Sequence, residues 1–460
     1  MPVIPVQYES LKAILPYLDP NTRFRISLRM PSISSLERRL PLKIENLKFS
    51  HFDSKVNKFS YRIGLYLDYG HNEIPCDVYD SNCSRGSSND IDQYGFTIYP
   101  GVNNVLPGDI DLRKGNRRTS RNDSDRKEQY IVQRLRIYKM VLAEKLNQEY
   151  IEDDETRRIA VGAWDPSLEV SIRRSTATNS IEEIQSAIET IRWELKPFNN
   201  RRDNSTPPYT PWIQLSVNSP KGITIQRVRY KKYLHEAEKI MHTKLFGNRS
   251  EAISVKNLKV DLDNRILRFP AGAILKIENL EVSGWSATHF ECLKSIIDPS
   301  SLPIQQLKMK SSPRAPDFRH NIVKESQTLI IDNRKFDNSS WTPILLNLAN
   351  RRVYLMNENA RNPPNDYVDL IENWLETGRP VGTTFSMGIK NEETVKQCLD
   401  TLRQRQEVLG LTEKQVKLRI NALLMIDVSY ETIEHSENSF TSENASNLWL
   451  RLKVVRRRPE

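Results

Sequence analysis

Glycine is scarce in this chain, at 16 of 460 residues, about half the usual share of ~7%. Phosphate-cradling loops are built on glycine, because only a bare backbone lets the N–H groups close on the anion. The shortage therefore counts against nucleotide chemistry. Cysteine is scarcer still: Cys76, Cys83, Cys292 and Cys398 are the whole complement. Four thiols make no disulfide framework for a chain this long, and without a Cys-x-x-Cys pair a closed zinc site has no seed. Reduced, structural thiols are expected. The chain lacks any apolar run of the ~18 residues that a membrane span requires, and its opening residues reach Glu9 with no signal-like apolar stretch. A cytoplasmic or nuclear protein is expected.

What is present suits folded domains. Hydrophobic residues make up 38%, charged residues 27% and aromatics 8%, a balance unlike that of disordered chains, and the length suggests about three folding units. Lysine and arginine total 68 against 58 acids, a net charge of +10. That mild excess favours anionic neighbours without requiring nucleic acid.

Residues 8–40 read as three short helices. Leu11, Ile14, Leu15 and Leu18 recur at the spacing of one helical face. Asp19-Pro20 restarts the chain as a cap and first helical residue, Phe24 and Leu28 lie four apart on the second helix, and Pro31 ends it, with Ser32 free to cap a last turn. So small a unit buries too little surface to stand alone and must dock on its own protein or on a partner. Tyr61, Ile63, Leu65, Leu67 and Tyr69 then alternate as in a half-buried strand. Helices are predicted over 125–149 and 181–196, the latter opened by a Ser180–Glu183 capping box and followed by Pro197. A hairpin turns at Ser219-Pro220-Lys221-Gly222 and leads into a helix over 231–246. The expected division is a helical docking unit over 1–42, a mixed strand/helix module over 43–196, a linker over 197–211, a hairpin plus helix over 212–252, and a repetitive α/β region over 253–460.

The last region carries the most informative pattern. Lys-Ile-Glu-Asn-Leu occurs at 43–47 and again at 276–280, with a relative, Val-Lys-Asn-Leu-Lys-Val, at 255–260. Strand-like cores recur near Leu258, Leu280, Leu307, Ile330, Leu355 and Phe385, at steps of 22–30 residues, close to the ~20–29 of leucine-rich-type repeats. The regular asparagine ladder of a strict repeat is not evident. The fold class is α+β, and the C-terminal half fits either an irregular leucine-rich-repeat-like strand–helix solenoid or an ordinary α/β domain. Over Ile304–Lys310, alternation turns Leu307 and Met309 to the core and Ile304, Gln306, Lys308 and Lys310 the other way, so Gln306 and Lys308 are candidate partner-binding residues.

No constellation carries chemistry. His235-Glu236 opens like a zinc-protease helix, but the next histidine, His242, is seven residues on, ~10 Å along a helix, beyond the reach of one ion; both are expected at the surface. Gly378 to Thr384 lacks the lysine and glycine spacing of a phosphate loop and reads as a helix C-cap and turn. No catalytic residue, cofactor or metal is assigned. Residues 113–127 hold seven cations (Arg113, Lys114, Arg117, Arg118, Arg121, Arg126, Lys127) against Asp123 and Asp125, residues 221–232 hold five without an acid, and Arg456-Arg457-Arg458 comes near the end. Aromatics are not interleaved with these cations at stacking intervals, so nucleic acid is not the expected partner.

In order, several stretches resemble the nematode F-box C-type family with its associated domain of unknown function: Tyr8 to Leu15 and Arg23 to Ser32, similar to a degenerate F-box; Leu40 to Leu47; Tyr209 to Pro220; Tyr233 to Ala237 and Lys244 to Phe246; and Ile371 to Trp374 with Arg379 to Thr383. The resemblance implies an F-box-like adaptor that takes a Skp-type protein on Leu11, Ile14, Leu15, Leu18, Phe24 and Leu28. Such an adaptor brings an unknown protein substrate to a cullin–RING ubiquitin ligase. The alternative is a nucleic-acid-associated or structural scaffold protein using its basic surface.

Overall fold

The computed structural model describes residues 8–113, 115, 125–157, 164–283, 287–312, 316–333, 339–356, 366–389, 392–432 and 448–457. Within them lie thirteen α-helices and nineteen strands, a mixed α/β protein. The chain folds as two compact units that are not contiguous in sequence. One comprises residues 1–59, 106–114 and 242–460, the other 60–105 and 115–241.

The first unit is built on parallel strands laid down in chain order. Lys43–Ser50 pairs with Ile253–Asp261, followed by Leu275–Val282, Gln306–Ser311, Thr328–Asn333, Arg352–Leu355 and Thr384–Ile389, each parallel to its predecessor. Antiparallel strands Leu448–Arg456, Leu424–Thr432, Gln415–Arg419 and Val408–Thr412 continue the sheet beyond Thr384–Ile389. The spacing heard in the sequence is thus real pairing: Leu47, Leu258, Leu280, Leu307, Leu329, Val353 and Phe385 stand in one register row, every one buried. Helices Ala287–Leu293, Thr342–Asn347, Tyr367–Thr377 and Glu392–Arg403 fall between these strands. On Tyr367–Thr377 the apolar stripe Leu370, Ile371 and Trp374 is fully buried, with Trp374 edge-on to Phe385 at 4.9 Å. Gly378 ends that helix at φ 69°, a left-handed turn that only glycine takes without strain. The expected strand Ile304–Lys310 begins later, at Gln306, so Ile304 escapes the alternation and is buried instead of facing outward.

Three helices, Tyr8–Ile14, Pro20–Arg29 and Pro31–Arg39, open the unit as the sequence predicts. Asp19 accepts a hydrogen bond from the Asn21 N–H at 2.9 Å, the capping expected of it. Pro31 opens the third helix rather than merely stopping the second, and no side chain caps that helix, so the role expected of Ser32 is not taken.

In the second unit, strands Phe59–Asp68, Thr210–Ser219 and Gly222–Arg229 form an antiparallel sheet. Beside Gly64 a Cβ would come within 2.6 Å of the Arg85 carbonyl, because the chain at Ser87 bridges to Leu65 there. Helices Asp125–Lys145, Pro166–Thr176 and Ile181–Arg202 pack around Ile131, Leu135, Ile172, Ile184, Ile188 and Leu195. The capping box at Ser180 and Glu183 is present, with both reciprocal bonds made. The linker expected from residue 197 is corrected: the helix runs through Pro197 to Arg202. Proline sacrifices one intrahelical bond. Continuing the helix buries Phe198, edge-on to Phe96 at 4.8 Å, and lets the Asn200 amide donate to Tyr94 O at 3.0 Å. No helix among the described residues is long and apolar enough to cross a membrane.

Candidate functional site

The N-terminal helices separate into a buried and an exposed side. Leu15 is fully buried in a small cluster with Ile33 and Leu36, against which Leu18, Ile26 and Leu40 pack. Phe24 is buried edge-on to Phe246 at 6.0 Å. Ile14 and Leu28 are 47% and 49% exposed, as are two residues not singled out in the sequence, Met30 at 48% and Tyr17 at 89%. The candidates Leu15, Leu18 and Phe24 therefore serve the unit's own packing, and Ile14 and Leu28 remain available. The Leu11 side chain lies outside the described residues. Helical periodicity finds the apolar face but cannot say how much of it the protein's own sheet consumes.

What fixes the second and third helices is a buried cluster of charge. Arg23 and Arg249 converge on Glu37, at 3.0 and 2.9 Å, and all three side chains are buried. Arg23 also donates to the carbonyls of Pro41 at 2.6 Å and Leu40 at 3.2 Å. The Asn21 amide donates to Val56 O at 3.1 Å. Burial pulls both guanidinium groups below their ordinary range, against the pull of Glu37. Nothing in the sequence spacing signals this triad, since Arg249 stands over two hundred residues from its partner.

The second candidate surface is the face of the parallel sheet opposite the leucine row. Asn46, Asn257 and Asn279 are register neighbours there. The Asn257 amide donates to Asn46 Oδ1 at 2.9 Å, and Asn279 donates to Asn257 Oδ1 at 2.8 Å. A short asparagine ladder thus spans three strands, carried by the repeated Asn-Leu pair at 46–47, 257–258 and 279–280, and gives way to Gln306, Thr328, Arg352 and Thr384, so a regular ladder is not formed. Gln306 extends this row, half-buried, beside Asn279. One step along, Lys48 pairs with Asp261 at 3.0 Å and Lys259 with Glu281 at 2.7 Å, while Lys308 reaches the same Glu281 at 3.5 Å. Burial alone would raise the Asp261 pKa; the Ser283 hydroxyl and Lys48 outweigh it and hold the carboxylate below its ordinary range. Lys308 is thus on the predicted face but engaged in a charge ladder, with its side chain 19% exposed.

The histidines are corrected. His235 and His242 are buried, not at the surface. His242 Nε2 lies 2.7 Å from Ser54 Oγ while Nδ1 meets the Arg268 carbonyl, so the ring is a packing and bonding element. Among the described residues no group of three or more His, Cys, Asp or Glu side chains could hold a metal ion. Of the basic segment 113–127, residues 114 and 116–124 lie outside the described residues; Arg113 is paired with Asp111 at 2.6 Å. In the second unit a cavity of about 510 Å³ is lined by Leu65, Tyr69, Phe96, Trp193 and Tyr209 among others; burial pushes the Tyr69 phenol up to about 12.

A family model described as a domain of unknown function (DUF3557) matches residues 233–391, which takes in the parallel strands from Ile253 to Ile389. No curated protein matches the chain. No solved structure matches it either.

Proposed function

We propose that this chain is a non-catalytic, F-box-like protein-interaction adaptor: its N-terminal helices take a Skp-type adaptor, and its leucine-rich-repeat-like C-terminal sheet presents a protein substrate to a cullin–RING ubiquitin ligase. The observation that carries this reading is the mounting of the helices. The second and third of the short helices, Pro20–Arg29 and Pro31–Arg39, are clamped to the unit's body by the Arg23–Glu37–Arg249 cluster, yet Ile14, Tyr17, Leu28 and Met30 stay in solvent. A rigid mount with apolar residues left outside suits docking, because it lowers the ordering cost of association. The regular parallel strands support the second half of the reading, since stacked repeats offer an extended binding surface.

The test is affinity purification of the full chain, asking whether a Skp-type adaptor co-purifies in stoichiometric amount. Ile14→Asp with Leu28→Asp should abolish that association without unfolding the protein, since both side chains are about half exposed. Absence of the adaptor from the wild-type preparation would remove the F-box reading. Substitutions at Leu15 are unsuitable for this purpose, because that residue is fully buried and its loss reports on folding.

A further inference from the structure

The strand Gly222–Arg229 is exposed along all eight residues. It pairs on one side only, with Thr210–Ser219, and ends the sheet order. The ladder's phase is fixed at its end, where the Tyr230 N–H donates to Pro211 O at 3.3 Å. In an antiparallel pair, hydrogen-bonded residues alternate with non-bonded ones. Even-numbered residues therefore bond inward, and Ile223, Ile225, Arg227 and Arg229 turn their N–H and C=O groups to the open side. Among the described residues no backbone bond reaches these groups.

Proteins ordinarily blunt such an edge with proline, a bulge or inward charge. This one has no proline, and its register with Thr210–Ser219 runs without a shift; its charges, Arg227 and Arg229, guard it against basic strands and leave it open to acidic ones. Ile223 and Ile225 are 58% and 48% exposed. The edge strand is also tied to its own sheet, because the Arg227 guanidinium lies 3.5 Å over the Tyr66 ring and its Nε donates to Gln214 at 2.8 Å. Around it, residues 221–232 carry five cations and no acid.

We propose that this edge is a docking site for an extended acidic segment of a partner protein, which adds to the sheet as a further strand. Backbone bonding supplies the general affinity and alternate side chains the selectivity. On the face shared by Ile223, Ile225, Arg227 and Arg229, the added strand sets apolar residues opposite the two isoleucines and carboxylates opposite the arginines, the favourable cross-strand pairings. A second copy of the same strand is disfavoured, since it would bring five cations against five. The proposal is independent of the F-box reading, as it concerns neither the N-terminal helices nor the parallel sheet.

Two fluorescent peptides with alternate positions reading Ile, Ile, Asp, Asp and the reverse, serine between, cover both strand directions; matching peptides with Lys for Asp are the comparison. The full chain should bind one acidic peptide at least about tenfold tighter than its basic counterpart, a ~1.4 kcal/mol difference. On binding, amide exchange should slow at Ile223, Ile225 and Arg227. Ile225→Pro removes an outward N–H without taking a bond from the ladder and should cost at least about tenfold in affinity. Ile223→Lys with Ile225→Lys, both at exposed sites, should do the same if the proline variant folds poorly. Equal binding of acidic and basic peptides, no binding, or binding without amide protection would each overturn the proposal. So would tighter binding of a single-stranded oligonucleotide, or a concentration-dependent dimer that Ile225→Pro dissolves.

Discussion

Arg249 donates from Nη2 to both carboxylate oxygens of Glu37, at 2.9 and 3.0 Å, across 212 positions of sequence. Arg23 meets Oε1 of the same carboxylate at 3.0 Å. Two buried cations thus share one buried anion, and the remaining charge of Arg23 is spread over the backbone carbonyls of Pro41, Leu40 and Glu37.

The asymmetry of that triad predicts unequal costs. Glu37→Gln leaves two guanidinium groups buried without an anion and should destabilise by about 3–5 kcal/mol. Arg249→Met leaves a matched Arg23–Glu37 pair and should cost clearly less. Urea unfolding of the two variants checks the order; equal losses would mean that the charges do not act as a unit.

On the strand Gln306–Ser311, two adjacent residues should behave oppositely. Leu307 sits in the buried row between Leu280 and Leu329, so Leu307→Ala should lose ~2–5 kcal/mol as a core truncation. Lys308 faces outward and contributes a partly exposed pair with Glu281, so Lys308→Glu should change stability by no more than roughly 1 kcal/mol. If the sheet face binds a protein partner, Lys308→Glu should weaken capture while the melting temperature holds.

The sequence made the parallel sheet legible because its signal is local and repeated. An apolar residue, most often leucine, returns at each strand, the side-chain period is two, and Ser180, Glu183 and Gly378 announce helix ends by their own chemistry. Tertiary relations left no such mark. The burial of His242 depends on Ser54 and Arg268, and the buried His235 ring meets the Asn104 amide; all three neighbours come from elsewhere in the chain. The passage of a helix through Pro197 depends on the burial of Phe198 and Asn200, which outweighs the lost backbone bond. Of the candidate docking residues, periodicity placed Ile14, Leu15 and Leu18 on one helical face, but the helix ends at Ile14, and the spacing could not foresee that Leu15 and Phe24 face the protein's own core while Ile14, Tyr17 and Met30 face solvent.

Thiol chemistry separates three of the four cysteines. Burial pushes the Cys398 thiol up to about 12, and because the thiolate is the reactive species this residue should resist aromatic disulfide reagents at pH 8 until the protein unfolds. Cys76 and Cys83 are exposed and should react in the native state. A native titration giving prompt modification of Cys398, read by peptide mapping, would contradict the packing of the helix Glu392–Arg403 against the sheet.

Asp90 gives the clearest pH-dependent expectation. Its Oδ1 accepts hydrogen bonds from the Leu234 N–H and the Tyr230 hydroxyl, each at 2.8 Å, and the residue is buried. Burial raises its pKa; the two bonds oppose this without cancelling it, and Glu236 adds to the rise. The folded state therefore holds this proton more tightly than the unfolded chain does. The resulting stabilisation is complete below the unfolded value, ~3.9, and is lost as pH rises through the folded value. Asp90→Asn keeps a carbonyl oxygen for both donors and carries no charge, so at pH 7 it should be at least as stable as the wild type. Its advantage should shrink as pH falls through the folded value and level off below about 4, where the carboxyl is protonated in the folded and unfolded chain alike. Asp90→Ala strands the Leu234 N–H and leaves the Tyr230 hydroxyl only the Ile91 carbonyl at 3.4 Å, so it should lose at least ~1–3 kcal/mol for the buried donor left unsatisfied. Urea midpoints at pH 4 and pH 7 decide the matter: an Asn variant clearly weaker than wild type at pH 7 would show that the carboxylate charge stabilises the fold, against the direction argued from its burial.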